Sequence, residues 1–120
     1  MGLEEFQGDA DNSAQCSCGE SFHADSRREV MGEAIDHLVQ EHGLFDRIKL
    51  PWAPPQATKN VLISEEGVRV QKYRRDEQNI QQEYELSTGH FIHTQYNKES
   101  KERYINTLAN KCGVEFGFDW

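Results

Sequence analysis

The sequence has little apolar material and no long hydrophobic run. Of its 120 residues, 36% are hydrophobic and 28% are charged. A membrane-spanning helix needs about 20 consecutive apolar residues, and no stretch of this chain approaches that length. The first 15 residues are acidic, whereas a secretory signal begins with a basic segment and continues with an apolar one. Six Phe, four Tyr and two Trp still suffice for a core, so we expect a soluble, intracellular protein without a membrane partner.

Cysteine is also scarce, which argues against a disulfide framework. The chain has three cysteines, an odd number, and Cys16 and Cys18 are only two positions apart. That arrangement suits metal ligation in a reducing compartment better than disulfide bonding. Cys112 falls at an apolar position of a predicted helix, where an isolated cysteine usually behaves as a small core residue.

The three prolines all lie in one stretch, Pro51-Trp52-Ala53-Pro54-Pro55. Proline disfavours helix and promotes an extended, semi-rigid path. The stretch therefore predicts a linker between two parts of the chain. Trp52 in this linker either packs between the two parts or is an exposed anchor for a partner, and we favour the packing role.

Positive charge is scarce and unevenly placed. The net charge is −8, and residues 1–25 carry six acids without a Lys or Arg, whereas residues 47–75 carry seven basic residues against two acids. An acidic chain is a poor non-specific ligand for duplex nucleic acid, because that affinity comes from neutralising phosphates. The basic stretch keeps nucleic acid as an alternative partner. Its candidate contact residues are Arg69, Lys72, Tyr73, Arg74 and Arg75. A solvated strand face is the slightly favoured explanation for them, because acids follow at Asp76 and Glu77.

The second half of the chain shows mainly strand patterns. Asn60–Ser64 and Val68–Arg74 flank Glu65-Glu66-Gly67 and predict a hairpin with glycine at the turn. Alternating polar and apolar residues over 80–86, followed by Ser87-Thr88-Gly89 and a strand at 90–96, predict a second hairpin.

One helix and a final strand complete this half. Lys98–Cys112 places its apolar residues on one helical face, with Asn97 as N-cap and Gly113 as the C-terminal stop. The apolar residues of the tail then alternate with Glu115, Gly117 and Asp119, which predicts a closing strand with one buried face.

The first half contains the residues that indicate chemistry. Cys16-Ser17-Cys18-Gly19 offers two thiolates on a turn. A helix is predicted from Ser26, with Glu29 completing a capping box, to His42. His37 and His42 lie near its end, before Gly43. Two thiolates and two imidazoles are a typical ligand set for structural zinc, so we predict a zinc site at Cys16, Cys18, His37 and His42.

The histidine spacing sets a condition on this site. Residues five positions apart lie about 140° apart around an ideal helix, so His37 and His42 reach one ion only if the last turn loosens. Gly43 makes such a loosening feasible. His23 is the rival fourth ligand, and it would replace His42 if the helix stayed regular.

At this point the segment resembles a two-cysteine, two-histidine zinc finger. The shared features are the paired cysteines, an aromatic residue (Phe22) four positions after the second cysteine, and a helix that ends in two histidines. Two spacings differ from those of the family. One residue lies between the two cysteines, whereas the family has two to four, and eighteen residues rather than about twelve lie between Cys18 and His37. The resemblance covers residues 16–43 and implies a zinc-held turn and helix, without base-reading residues.

A second histidine pair, His90 and His93, does not indicate a site. Residues at positions i and i+3 of a strand point to opposite faces of the sheet, so the pair is a poor chelate. We expect each histidine to pack or to form hydrogen bonds within the sheet.

Together these patterns predict an α+β protein. A zinc-held turn and helix at 15–50 follow an acidic, flexible tail at 1–14, and a Pro-rich linker at 51–57 leads to a body at 58–120. The body is a mainly antiparallel sheet of two hairpins and a closing strand, with one packed helix. The predicted function is that of a regulatory zinc-binding protein that binds a protein partner, with nucleic acid as the alternative. A zinc hydrolase is the third reading, and four protein ligands would argue against it because hydrolysis needs an open position on the metal.

Overall fold

The computed structural model describes residues 12–54, 61–69, 83–94 and 96–120. Within these residues the protein is α+β, with two α-helices, a three-stranded and a two-stranded antiparallel sheet. The elements are β1 (Asn12–Cys16), β2 (Ser21–Ala24), α1 (Arg27–His42), a short 3-10 helix (Leu44–Asp46), β3 (Glu83–Glu85), β4 (Phe91–His93), α2 (Lys98–Lys111) and β5 (Phe116–Asp119). None of the described helices is long and apolar enough to cross a membrane.

Helix α1 begins and ends where its caps predict. The Ser26 side chain accepts a hydrogen bond from the backbone N–H of Glu29 at 3.2 Å, which satisfies one donor of the first turn. Gly43 ends the helix with a φ of 66°, a left-handed conformation that is costly for residues with a Cβ. The predicted helix and both of its ends are confirmed.

Helix α2 is likewise confirmed. The Asn97 side chain accepts a hydrogen bond from the Ser100 N–H at 2.8 Å, and Gly113 follows the helix with a φ of 79°. The apolar face of α2 is buried as predicted. Cys112 is half-buried against the core, in agreement with a packing role.

The three-stranded sheet joins the two ends of the described chain. Its order is β2–β1–β5, and all pairs are antiparallel. The closing strand was predicted, but its partner was not: Ala14 lies opposite Phe118, and Cys16 lies opposite Phe116. Residues 12–14 fall within the segment predicted as a flexible tail and begin β1. Asn12 pairs with Ala24, and Ser13 and Ala14 pair with strands on both sides, which satisfies their backbone groups.

The two-stranded sheet confirms the second predicted hairpin. Glu83 pairs with His93 and Glu85 with Phe91, and Gly89 in the connecting loop has a φ of 90°. The first half of the predicted strand, residues 80–82, lies outside the described residues.

The other predicted hairpin is described only in part. Gly67 has the expected positive φ, 77°, but the arm beyond Arg69 lies outside the described residues. In the described arm Ile63 forms isolated bridges with Trp52 and with Ile92. The start of the Pro-rich stretch therefore lies beside this arm, and Trp52 is half-buried against the core.

One cluster of buried side chains draws on both halves of the sequence. It combines Val30, Met31, Ile35 and Leu38 of α1 with Leu62, Ile63, Ile92, Ile105, Leu108 and Phe116. The cluster and the β1–β5 pairing link the predicted zinc segment to the predicted body. The division into separate domains at 15–50 and 58–120 stays a prediction.

Helix α1 approaches β3 unusually closely. A Cβ built on Gly32 would overlap the ring of Tyr84. Gly32 is buried in the middle of α1, where glycine costs stability relative to alanine. The absence of a side chain is therefore required by the aromatic ring that lies on this turn.

We expect Gly32→Ala to destabilise the protein by about 1–3 kcal/mol, because overpacking outweighs the gain in helix propensity. The matched control is Gly117→Ala, where a Cβ meets no atom within 4 Å. Urea unfolding measures both, and adding Tyr84→Ala to Gly32→Ala should shrink the penalty of the glycine change. Equal stability of Gly32→Ala and the wild type would contradict the close approach.

Candidate metal centre

The two cysteines lie at the end of β1 and in the turn that follows it. The Gly19 N–H donates to the Cys16 carbonyl at 2.9 Å, and the Cys16 N–H donates to the Glu20 carbonyl at 2.8 Å. The Cys18 N–H also points to the Cys16 sulfur, 3.5 Å away. This turn holds one thiol inside and one outside, since Cys16 is 1% exposed and Cys18 is exposed.

The two histidines come from the last turns of α1, and that end of the helix is loosened. The Gly43 N–H donates to the carbonyl of Leu38, five residues back, whereas a regular α-helix bonds to the residue four back. The wider turn brings Nε2 of His42 to 3.2 Å from Nε2 of His37. The last turn is therefore loosened enough for His37 and His42, five positions apart, to reach one point.

The four side chains converge on one point. The Cys18 sulfur lies 3.2 Å from Nε2 of His37, and the ligand atoms of Cys16, Cys18, His37 and His42 all lie within 4.8 Å of one another. A tetrahedral zinc ion with two sulfur and two nitrogen ligands implies ligand separations of about 3.3–3.8 Å. A small inward movement of the four side chains gives these separations. The group can therefore hold a metal ion, and its two sulfur and two nitrogen atoms suit zinc.

His23 does not belong to this group. It lies on β2 opposite Ser13 and is exposed. Because the end of α1 is loosened, His42 rather than His23 completes the cluster.

Aromatic rings enclose the inner side of the site. The Phe22 ring centroid lies 5.2 Å from that of His37, and the Phe116 ring lies 6.5 Å from it. The outer side opens into a cleft beside Cys18, His42 and the carboxylates of Glu20 and Glu41. The site is therefore walled on its inner side by β2 and β5.

Burial shifts the pKa values of Cys16 and His37 in opposite directions. Burial raises the pKa of the Cys16 thiol, whereas burial and then the neighbouring His42 lower the pKa of His37. The His37 imidazole is thus held neutral, the state that binds metal. The Cys16 thiol must give up its proton when a metal binds.

The residue that precedes β5, Glu115, fixes the cysteine turn through contacts that the sequence did not reveal. The Ser17 N–H donates to the Glu115 carbonyl at 2.8 Å, and the Glu115 N–H donates to the Ser17 hydroxyl at 3.2 Å. Asn106 of α2 bonds both backbone groups of Phe116, at 2.7 and 3.2 Å. No local pattern could identify these residues, because their partners are distant in sequence.

The remaining candidates lie elsewhere. Arg69 forms an ion pair with Glu83, and Lys72, Tyr73, Arg74 and Arg75 lie outside the described residues. His90 and His93 are buried, with His90 bonded to Thr88 and His93 against the Tyr96 ring. These contacts agree with the packing role that we expected for both histidines.

No protein-family model, curated protein or solved structure matches this chain. The resemblance to a zinc finger is therefore supported by the placement of four side chains alone.

We expect one equivalent of zinc to bind, and Cys18→Ser to remove it, because a serine hydroxyl is a poor substitute for a zinc-bound thiolate. Native mass spectrometry of the purified protein measures the stoichiometry. The matched control, His23→Gln, should retain the metal. Zinc binding that survives Cys18→Ser, or that is lost in His23→Gln, would contradict the assignment.

We also expect the metal-free protein to lose stability as the pH falls below 6.5. The pKa of His37 lies below its ordinary value of 6.5 in the folded state, so the unfolded chain binds a proton first and the free energy of unfolding decreases on acidification. Urea unfolding between pH 7 and pH 5 in the presence of a chelator measures this slope. It should flatten in His37→Gln and persist in His23→Gln, and an unchanged slope in His37→Gln would refute the cause.

Proposed function

We propose that this chain is a small, zinc-binding regulatory protein that acts by binding another protein and catalyses no reaction. The convergence of Cys16, Cys18, His37 and His42 carries the proposal. Four protein ligands fill a tetrahedral zinc ion, whereas a hydrolytic zinc site keeps one position for water. The geometry thus favours a structural role for the metal over the alternative of a zinc hydrolase.

The zinc ion would fasten three elements to one another. Cys16 ends β1, Cys18 lies in the turn beyond it, and the histidines belong to the end of α1. Since β1 also pairs with β5, the metal would fix α1 against the three-stranded sheet. A bound structural zinc contributes folding free energy directly, and its purpose here would be to present the outer side of α1 in one orientation.

That outer side is acidic. Glu29, Glu33, Asp36 and Glu41 follow one another along it, and Glu20 lies near its C-terminal end. Burial and then the neighbouring Glu29 carboxylate raise the pKa of Glu33. A positive charge brought by a partner would relieve this repulsion. The face therefore suits a protein with a basic surface, which it would attract over long range.

Nucleic acid remains the alternative partner, through the zinc-held segment and the basic stretch 47–75. The described part of that stretch supports nucleic-acid binding less well than protein binding. Arg69 is paired with Glu83 and lies over the Phe91 ring, 4.8 Å from its centroid. A cation engaged in this way is less available to a phosphate.

To test the protein-partner proposal, we would reverse three charges on the outer side of α1 by Glu29→Lys, Glu33→Lys and Glu41→Lys. A matched control reverses three exposed acids elsewhere: Glu66, Glu99 and Asp119. The wild type and both variants, each used as a bait, would capture partners from nuclease-treated extract of the source cell. Surface plasmon resonance would then measure the association and dissociation rates with the purified partner. Reversal on α1 should slow association about tenfold at low salt and change dissociation less, whereas the control should do neither.

Two results would overturn this proposal. One is a partner that disappears on nuclease treatment. The other is tight, steeply salt-dependent binding of purified nucleic acid at physiological salt, measured by filter binding, because that slope counts the phosphates neutralised. Either result would promote the nucleic-acid alternative, and neither would affect the metal assignment.

A further inference from the structure

A cleft of about 720 Å³ opens at the N-terminal end of α1, far from the metal centre. Three cationic side chains line it: Arg27 and Arg28 from the first turn of α1, and Lys101 from α2. About fifteen helical steps separate this end of α1 from His42, a distance of about 22 Å. The cleft and the metal centre are therefore separate features of the same helix.

Lys101 is a buried cation without a described counter-charge. Its residue is 7% exposed, and its ammonium group donates to the Tyr96 carbonyl at 2.6 Å. An ammonium has three N–H donors, so this neutral acceptor satisfies one of them. No carboxylate of residues 12–54, 61–69, 83–94 and 96–120 forms an ion pair with Lys101. Burying an unpaired charge is costly, which makes this ammonium a group that an anion would stabilise.

The electrostatic surroundings increase that cost. Burial and then the positive charge of Arg27 lower the pKa of Lys101. Both causes act against the ammonium form, and an anion placed between the two cations would oppose them. Lys101 and Arg27 are thus neighbouring cations that an anion bound between them would stabilise.

The backbone adds two donors to the same place. In the first turn of α1, the Glu29 N–H is taken by the Ser26 side chain and the Val30 N–H donates to the Ser26 carbonyl at 3.2 Å. The N–H groups of Arg27 and Arg28 have no acceptor among the described residues. Free N–H groups at a helix N-terminus, reinforced by the helix dipole, favour an anion.

Two carboxylates, Asp25 and Glu29, also line the cleft. Both residues are exposed, as is Arg27, so water and salt screen these three charges far more than they screen the buried Lys101. Three cations against two acids leave the lining positive before the helix dipole is added.

We propose that this cleft binds a phosphate group, either as inorganic phosphate or as a small phosphomonoester. A phosphate oxygen would accept from the Lys101 ammonium, the guanidinium groups would hold two further oxygens, and the N–H groups of Arg27 and Arg28 would face the same anion. Guanidinium groups match phosphate geometry, and charge-assisted hydrogen bonds are the strong ones. This site is additional to the proposed protein-binding function and does not depend on it.

The test follows the backbone amide signals of full-length, zinc-loaded protein by NMR while sodium phosphate replaces sodium chloride at constant ionic strength and pH 7. Saturable shifts should appear at Arg27 and Arg28 and be absent near His42. Lys101→Met should weaken phosphate binding about tenfold or more, because a hydrogen bond to a charged group is lost. Lys98→Met, an exposed change on the same helix, should leave the affinity unchanged.

A second variant guards against effects of Lys101→Met on folding. Arg27→Gln changes an exposed side chain and should also weaken binding several-fold. A parallel titration with glycerol 3-phosphate distinguishes the two sources, since tighter binding than that of inorganic phosphate identifies a monoester. Absence of saturable shifts with both probes, or equal phosphate affinity in the wild type, Lys101→Met and Arg27→Gln, would overturn the proposal.

Discussion

The antiparallel pairing of β1 with β5 is the constraint on which the rest of the structure depends. It places Phe116 opposite Cys16 and brings Glu115 into two hydrogen bonds with Ser17. Asn106 of α2 then holds the backbone of Phe116 on both sides. Through these contacts the second helix positions the cysteine turn, although Asn106 lies about ninety residues after that turn in sequence. Non-local pairing of this kind brings together segments that carry no local signal for one another.

The metal centre is built where this pairing meets the end of α1. The wide final turn at Gly43 allows two histidines five positions apart to share one point, while Phe22 and Phe116 wall the inner side. Burial keeps the His37 imidazole neutral but opposes the thiolate of Cys16. A divalent cation resolves that opposition, because it favours the thiolate that burial disfavours. Metal binding and folding of this region would therefore be coupled through the same side chains.

Helix α1 links chemically different regions. Its C-terminal end carries two of the four candidate metal ligands, its outer side carries a row of carboxylates, and its N-terminal end carries two arginines beside the buried Lys101. Its inner side packs so closely on β3 that Gly32 has no room for a side chain against Tyr84. A metal ion held by the four side chains would restrain α1 at a second level. A helix restrained at two levels would display opposite charges at fixed separations, which suits selective binding better than a flexible helix does.

Local signals in the sequence determined the helices, their caps and three of the four candidate metal ligands, Cys16, Cys18 and His37. Ser26, Asn97 and Gly43 act on their immediate neighbours, so their effects could be predicted without a fold. Only the tertiary structure decided that residues 12–14 form a strand, that β5 pairs with it, and that His42 rather than His23 completes the metal cluster. It also decided that Lys101, ordinary in the sequence, is buried beside Arg27. The reason is physical: caps and turns depend on adjacent residues, whereas strand partners, burial and charge pairing depend on which distant segments share one core.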